Sequence, residues 1–292
     1  MNIQKSYGQE NGFGKLYLVG TPIGNLEDMT FRAIRILGEV QWVAAEDTRQ
    51  TRKLMTHFNI PTRLVSYHEH NKHASGPELI RLLKTGDSIA LVSDAGLPAI
   101  CDPGSELVKL AIEAGVDVIP IPGANAALSA LIVSGLSTER FTFLGFLPRD
   151  KKSLLQELEL LKPKKETLIF YESPHRIVKT IEAMLTVWNP ERQMCLMREL
   201  TKKYEEAARG TVSECLEFLV EHEPKGEYCI IVEGSTASEA VVSIEWWVSY
   251  TLQEHVEHYE TQGSDRKEAI KRAASDRQMP KRELYNLLHK EE

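Results

Sequence analysis

The chain has 292 residues, enough for two domains of ordinary size with a small appendage. Apolar residues make up 42% and charged residues 26%, and the formal net charge of −7 excludes a wholly basic nucleic-acid binder while leaving room for a local basic face. No apolar run approaches bilayer length, the first residues lack the apolar core of a secretory signal, and the cysteines (Cys101, Cys195, Cys215, Cys229) have no zinc or redox spacing, so a reduced cytoplasm and no membrane partner are expected.

Residues 1–14 are polar and glycine-containing and read as a flexible segment. An α/β domain is expected over 15–122, with strands at Leu16–Gly20, Trp42–Ala45, Arg63–Tyr67, Ser88–Ser93 and Val116–Ile121. Between them, Thr30–Leu37, Thr48–Phe58, Pro77–Leu83 and Pro103–Ala114 carry helical spacing or helix-start signals. Such alternation predicts a largely parallel sheet covered on both faces. Pro120-Ile121-Pro122-Gly123 breaks the pattern and marks a hinge.

A second α/β domain, 123–236, opens with the alanine-rich helix Ala124–Ser134. Strands are predicted at Phe141–Phe146, Thr167–Tyr171, Met194–Arg198, Glu206–Gly210 and Tyr228–Val232, and helices at Lys152–Leu161, Pro174–Val187 and Val212–Val220. Neighbouring strands here can run antiparallel. After a linker at Ser235–Glu239, residues 237–292 read as helical: Ile244–Tyr259, Ser264–Ser275 capped by Ser264, and Lys281–His289 after a turn at Met279-Pro280. From Ser264 onward four lysines and four arginines face six acids, and the turn between basic helices resembles a helix-turn-helix.

The chemistry-bearing residues collect after predicted strands. Ser93 to Gly104 places two acids and two glycines where α/β sheets bind ligands, and reads as a small-molecule cradle or a structural loop. Thr21–Leu26 lacks the G-x-G-x-x-G of a dinucleotide site and is either a tight turn or part of the same cradle. In Ala45–Arg49 the acids either cap the next helix or face a substrate, with Glu46 or Asp47 as base and Arg49 for phosphate. Tyr67–His73 holds three histidines, but Lys72 stands at the fifth position where H-E-x-x-H needs histidine, so no metal site is expected; a solvated or substrate-contacting loop is. Tyr171–Arg176 and Arg198–Lys203 add further charges at strand ends.

In this order the motifs resemble the tetrapyrrole methylase superfamily, the class III methyltransferases, and within it the branch that methylates small-subunit ribosomal RNA. The carrying residues are Thr21–Leu26, Ala44–Arg49, Ser66–Asn71, Ser93–Gly104, Pro122-Gly123, Gly145–Arg149, Tyr171–Arg176, Arg198–Lys202 and Gly226-Glu227. The chain departs from the family pattern at Leu97 (usually threonine), Cys101 (serine), Ala124-Asn125 (proline-serine) and Gly145 (glutamate). The resemblance implies two α/β domains with a small C-terminal helix-turn-helix-like appendage, S-adenosylmethionine in the cleft between the domains, and a homodimer. It implies methyl transfer to the 2′-hydroxyl of a cytidine ribose in the decoding region of 16S rRNA, on the small ribosomal subunit. Pro22, Ser93, Asp94, Ala95, Gly96, Ile100 and Asp102 are then expected around the cofactor, with Gly123, Ala124, Phe146, Leu147 and Pro148 nearby. Glu46, Asp47 and Glu172 are base candidates; Arg49, His68, Glu69, His175, Arg176 and Lys202 are substrate-binding candidates. The rival readings are methylation of a tetrapyrrole precursor and a noncatalytic, S-adenosylmethionine-responsive RNA binder.

Overall fold

The computed structural model describes residues 3–4, 12–235, 247, 250–277 and 279–288. The chain divides into two compact units, one of residues 1–158 with 166–233 and one of residues 159–165 with 234–292.

The first unit holds two five-stranded sheets. Strands β1 (Leu16–Val19), β2 (Trp42–Ala45), β3 (Arg63–Ser66), β4 (Ile89–Val92) and β5 (Val118–Ile121) run parallel in the order β3-β2-β4-β1-β5. Every residue of β4 is buried, as expected of a central parallel strand covered on both faces. Helices α1 (Phe31–Glu39) and α2 (Thr48–His57) cover one face, packing Ile36, Leu37 and Met55 against Val19, Val43 and Val92. Helices α3 (Lys72–Lys84) and α4 (Ser105–Glu113) cover the other, with Leu79, Leu83 and Leu107 against Leu16, Ala44 and Leu91. Burying each such side chain stabilises the fold by about 1.5–3 kcal/mol before chain entropy is counted. The chain leaves β1 for β2 through α1 on one face and leaves β4 for β5 through α4 on the other, so the loops after the neighbours β1 and β4 part to opposite faces of the sheet. Ligands of open α/β sheets bind at such carboxyl ends.

The second sheet joins β6 (Phe141–Phe146), β7 (Thr167–Glu172), β8 (Gln193–Arg198), β9 (Glu206–Thr211) and β10 (Tyr228–Val232) in the order β6-β7-β10-β8-β9. Only the β6–β7 pair is parallel; the other three are antiparallel. Helix α5 (Ala126–Ser134) lays Ala127, Ala130 and Leu131 on Ile169, Cys195 and Ile231. Helices α6 (Lys151–Leu161), α7 (Ile177–Val187) and α8 (Val212–Glu221) complete this half, α7 lying beside α8.

The second unit contains α9 (Leu252–Thr261), α10 (Arg266–Asp276) and α11 (Lys281–Leu288) around Val256, Ile270, Ala273, Leu284 and Leu288. A polar network threads it: His255, fully buried, contacts Asp276 through Nε2 at 3.0 Å and accepts from Arg277 Nε through Nδ1 at 3.0 Å.

Several predicted helix starts shift. Pro77 lies inside α3, which begins at Lys72, because the Asn71 carbonyl accepts from both Ala74 and Ser75 and closes an earlier first turn. Helix α4 begins at Ser105, not Pro103, and α7 at Ile177 after a turn in which the Ser173 carbonyl accepts from Arg176 and Ile177. Asn125, not Ala124, ends the hinge: its side chain caps α5 by accepting from Leu128 N at 2.9 Å. Asp265 takes the capping place assigned to Ser264, its carboxylate accepting from Glu268 N at 2.8 Å. The helix expected from Ile244 is described from Leu252, where Thr251 and Glu254 form a capping box; residues 244–246, 248 and 249 lie outside the described residues. So do residues 236–239 of the expected linker, His289, and most of the 1–14 segment, in which Gln4 exchanges two hydrogen bonds with the Val118 backbone, both 2.9 Å.

Candidate active site

The strand order sets the carboxyl ends of β2, β4 and β1 side by side, and these carry Glu46-Asp47, Ser93–Gly104 and Thr21–Leu26. Thr21 and Gly96 exchange backbone hydrogen bonds at 2.9 and 3.1 Å, which ties the first loop to the second. A cavity of about 490 Å³ opens beside this bridge, within the range of small-molecule sites. Ile23, Asp94, Gly96, Leu97, Ile100 and Asp102 line it from the first sheet; Phe146, Tyr171, Met197, Leu200 and Cys229 line it from the second. Most of that surface is apolar, and Asp94 and Asp102 put carboxylates on one wall.

The backbone around the cavity is held in uncommon conformations. Among the described residues five non-glycine positions have positive φ, and four of them sit in two loops bordering the cavity: Ala99 (68°), Cys101 (62°), Glu199 (50°) and Thr201 (65°). Each costs about 1–3 kcal/mol and persists only where its surroundings over-determine it, a pattern typical of ligand sites.

Asp94 and Asp102 of the wall meet a third carboxylate, Glu46, which lies outside the lining. The Asp94 Oδ1 accepts from Asp47 N at 3.1 Å, while the Glu46 carboxylate accepts from the Asp94 amide. Burial, and then the charges of Asp102, Asp94 and Asp47, push Glu46 above the usual carboxylate range. Burial also raises Asp102; a Ser93 hydrogen bond opposes that and the Asp94 charge adds to it. Asp47 behaves differently. It caps α2, accepting from Arg49 N at 2.8 Å and pairing with the Arg49 guanidinium at 2.7 Å, and that partner holds it down to about 2.

The remaining expected residues divide by position. Ala95, Gly96, Ile100 and Phe146 line the cavity with Asp94 and Asp102. Pro22, Ser93, Gly123, Ala124, Leu147 and Pro148 do not; Gly123 packs on the Gly20 backbone, and the Ala124 carbonyl lies near Gly96. Glu172 lines the cavity but is buried with both oxygens engaged: Oε1 accepts from Ser173 N (2.8 Å), and Oε2 accepts from Thr180 Oγ1 (2.7 Å) and lies 3.4 Å from Arg176. Arg176 in turn donates to the Leu147 and Pro148 carbonyls, so its cation braces the β6 loop instead of facing outward. His175 is exposed and outside the lining. His68 and Glu69 follow edge strand β3 and also fall outside it, Glu69 pairing with Lys72 at 2.7 Å. Lys202 borders the cavity with its ammonium held between Glu199 (2.9 Å) and Glu227 (2.8 Å).

Sequence reasoning missed Tyr171, whose hydroxyl accepts from Ala127 N at 3.1 Å and so fixes the first turn of α5 beside the lining residues Asn125 and Ala126. Burial pushes this phenol up to about 12, so it stays a neutral hydrogen-bonding group. An Asn before an alanine-rich helix was a readable cap signal for Asn125; the Glu199–Lys202–Glu227 cluster spans distant segments and has no spacing signature.

Comparison with known proteins agrees with this geometry. A family model for tetrapyrrole (corrin/porphyrin) methylases matches residues 15–216. The chain is 58% identical over 291 residues to the ribosomal RNA small subunit methyltransferase I of Halalkalibacterium halodurans, covering all of both chains. It is 54% identical over 286 residues to the protein of the same name from Bacillus subtilis, covering 98% of each. Among solved structures, uroporphyrin-III-C-methyltransferase from Thermus thermophilus superposes with a TM-score of 0.54 at 24% identity, over 75% of this chain and 94% of that one, and shares the fold. Two strand-end-loaded sheets around one cavity, a family model across both and relatives matched end to end converge: the chain belongs to the tetrapyrrole (corrin/porphyrin) methylase family.

Proposed function

We propose that this protein transfers the methyl group of S-adenosylmethionine to the 2′-hydroxyl of a cytidine ribose in the decoding region of 16S rRNA, acting on the small ribosomal subunit in the cytoplasm. The observation that carries the reading is a largely apolar cavity with clustered carboxylates, within a chain that matches small-subunit rRNA methyltransferases over its full length. The residues present fit the cofactor: Ile23, Leu97, Ile100 and Phe146 offer apolar surface to a nucleoside, and Asp94 and Asp102 suit a ligand that carries positive charge. When bound, S-adenosylmethionine supplies a methyl group already activated on a sulfonium.

The chain's own task is then alignment and one proton. A prearranged cavity supplies alignment, which can account for much of a rate. For the proton we assign Glu46, which stands just after β2, accepts from the amide of the cavity-wall residue Asp94 and has its proton affinity raised by burial. Asp47 is too weak a base with Arg49 attached, and Glu172 is occupied within the fold. The roles we assign are Asp94 and Asp102 for the cofactor, Glu46 for the proton, and Lys202 as a brace of the cavity mouth. We further assign domains at 15–122, 123–236 and 237–292.

A homodimer completes this reading. Helix α5 is apolar on all sides, yet Leu128 and Ile132 are 48% and 74% exposed. A helix of that composition is normally covered, and a second copy of the same face provides the cover. No helix among the described residues is long and apolar enough to cross a membrane.

The test is transfer of labelled methyl from S-adenosylmethionine to small subunits from a strain lacking this gene, followed by nucleoside mass spectrometry. Label in 2′-O-methylcytidine is the expected result. Label on another nucleoside would correct the substrate atom. Cofactor binding without transfer would favour a tetrapyrrole substrate or a binding-only role.

A further inference from the structure

Helix α2 carries Arg49, Arg52, Lys53 and His57 and no acid in its ten residues. Thr51 and Met55 are buried against the first sheet, so the cations at the i, i+3, i+4 and i+8 positions project along the outer side. There Thr48, Arg49, Arg52, Lys53, Thr56 and His57 line one shallow depression. Arg49 pairs with Asp47, but Arg52 and Lys53 have no ion pair among the described residues, and Lys53 meets only the neutral Gln50 side chain at 3.3 Å. Helix α10, also rich in cations, carries acids of its own: Lys271 pairs with Glu268 of the same helix.

The position of this face matters as much as its charge. Helix α2 starts where β2 ends, and the amide of its cap Asp47 donates to Asp94 of the cavity wall at 3.1 Å. The cations therefore lead away from the cavity over the length of the helix, about 15 Å at 1.5 Å per residue. A ribose delivered to the cavity must be followed by flanking phosphodiesters, each of which needs a counter-charge.

We propose that the outer face of α2 is a phosphodiester track that holds the single-stranded RNA flanking the target nucleotide. The identity of the polymer rests on the rRNA reading above; the track itself rests on charge, exposure and continuity with the cavity. Thr48 adds a hydroxyl at the cavity end of the depression, while the Thr56 hydroxyl donates to the Arg52 carbonyl at 2.8 Å and stays within the helix.

The test compares the full-length protein with Arg52→Gln/Lys53→Gln for binding to small subunits between about 50 and about 200 mM salt. Loss of two single-strand phosphate contacts lowers the slope of log K against log salt by about 1.4. The charge-keeping pair Arg52→Lys/Lys53→Arg should retain the wild-type slope. Both variants should keep the wild-type Tm and S-adenosylhomocysteine affinity. An unchanged slope in the glutamine variant, or no salt-dependent binding by the wild-type protein, overturns the track. Wild-type binding with the expected slope change but no methyl transfer would defeat the methylation reading alone and leave the track standing.

Discussion

At the scale of single residues, two positions of the site fit each other. Gly145 has φ of 65°, and a Cβ built on it would lie 2.7 Å from the Sγ of Cys101. The sulfur and the missing side chain meet across the cavity wall, a coupling invisible to a reader of either position alone. Gly226 likewise has φ of 77°, and its Cβ would lie 2.3 Å from the Glu199 carboxylate, so only glycine leaves room for the Glu199–Lys202 pair. Glu46 sets stability against function. Its folded pKa is raised, so the folded state holds the proton more tightly than the unfolded chain, and stability falls as pH rises from the unfolded value through the folded one. Glu46→Gln should therefore raise Tm at pH about 8 and change it little at pH about 4, while lowering methyl transfer about 10²-fold or more. Thermal melts at the two pH values with single-turnover rates check this. A lower Tm at the higher pH would show that Glu46 is not a strained carboxylate.

At the scale of elements, the helical unit is organised by one buried ring. His255 receives Arg277 Nε on Nδ1 and therefore presents a protonated Nε2 to Asp276, which fixes the neutral tautomer. Tyr259 donates to the same Asp276, and Trp247 stacks on the imidazole with ring centroids 5.5 Å apart. Burial lowers the His255 pKa, with Asp276 opposing the shift and the Arg277 charge reinforcing it. A base with a depressed folded pKa gives full stability above its unfolded value of about 6.5 and loses it as pH falls below that point. Amide exchange over 252–288 in the full-length protein should accelerate between pH about 7 and about 5.5 after correction for intrinsic rates, and His255→Gln should flatten the change. A pH-independent exchange profile in the wild type would remove the imidazole from any controlling role. These helices also mark the limit of sequence reading. Apolar runs place the strands well, and Trp42–Ala45, Phe141–Phe146 and Tyr228–Val232 keep their predicted bounds because buried strands have sharp edges in hydropathy. Prolines mislead: Pro77 lies inside α3, past a first turn closed by the Asn71 carbonyl, and Pro103 and Pro174 precede helices that begin at Ser105 and Ile177. The strand-end motifs of the site are legible for the same reason as the strands. The split between Glu46 as an unpaired acid and Asp47 as a cap is not, because it depends on where the Arg49 side chain folds back.

At the scale of the whole molecule, the question is which surfaces a complete assembly covers. The cavity is lined from both sheets. The apolar outer side of α5 serves no such internal purpose: Leu128, Ile132 and Val133 are exposed on a helix whose opposite side already fills the core of the second sheet. Exposed apolar area of this kind lowers solubility unless it is paired, and self-pairing by a two-fold axis places each copy of Ile132 against the same patch of its mate. Replacing Ile132 with Asp would bury an uncompensated carboxylate in that contact, at a cost of several kcal/mol by the usual penalty for an unpaired buried charge, or about 10²-fold or more in dimer dissociation constant. Light scattering should then find Ile132→Asp as a monomer at concentrations where the wild type is a dimer. Calorimetry should find the monomer's affinity for S-adenosylhomocysteine unchanged, because α5 reaches the cavity only through its capped first turn. A dimeric variant would assign the α5 face to another role, and a monomer that no longer binds would mean that pairing shapes the cavity from outside.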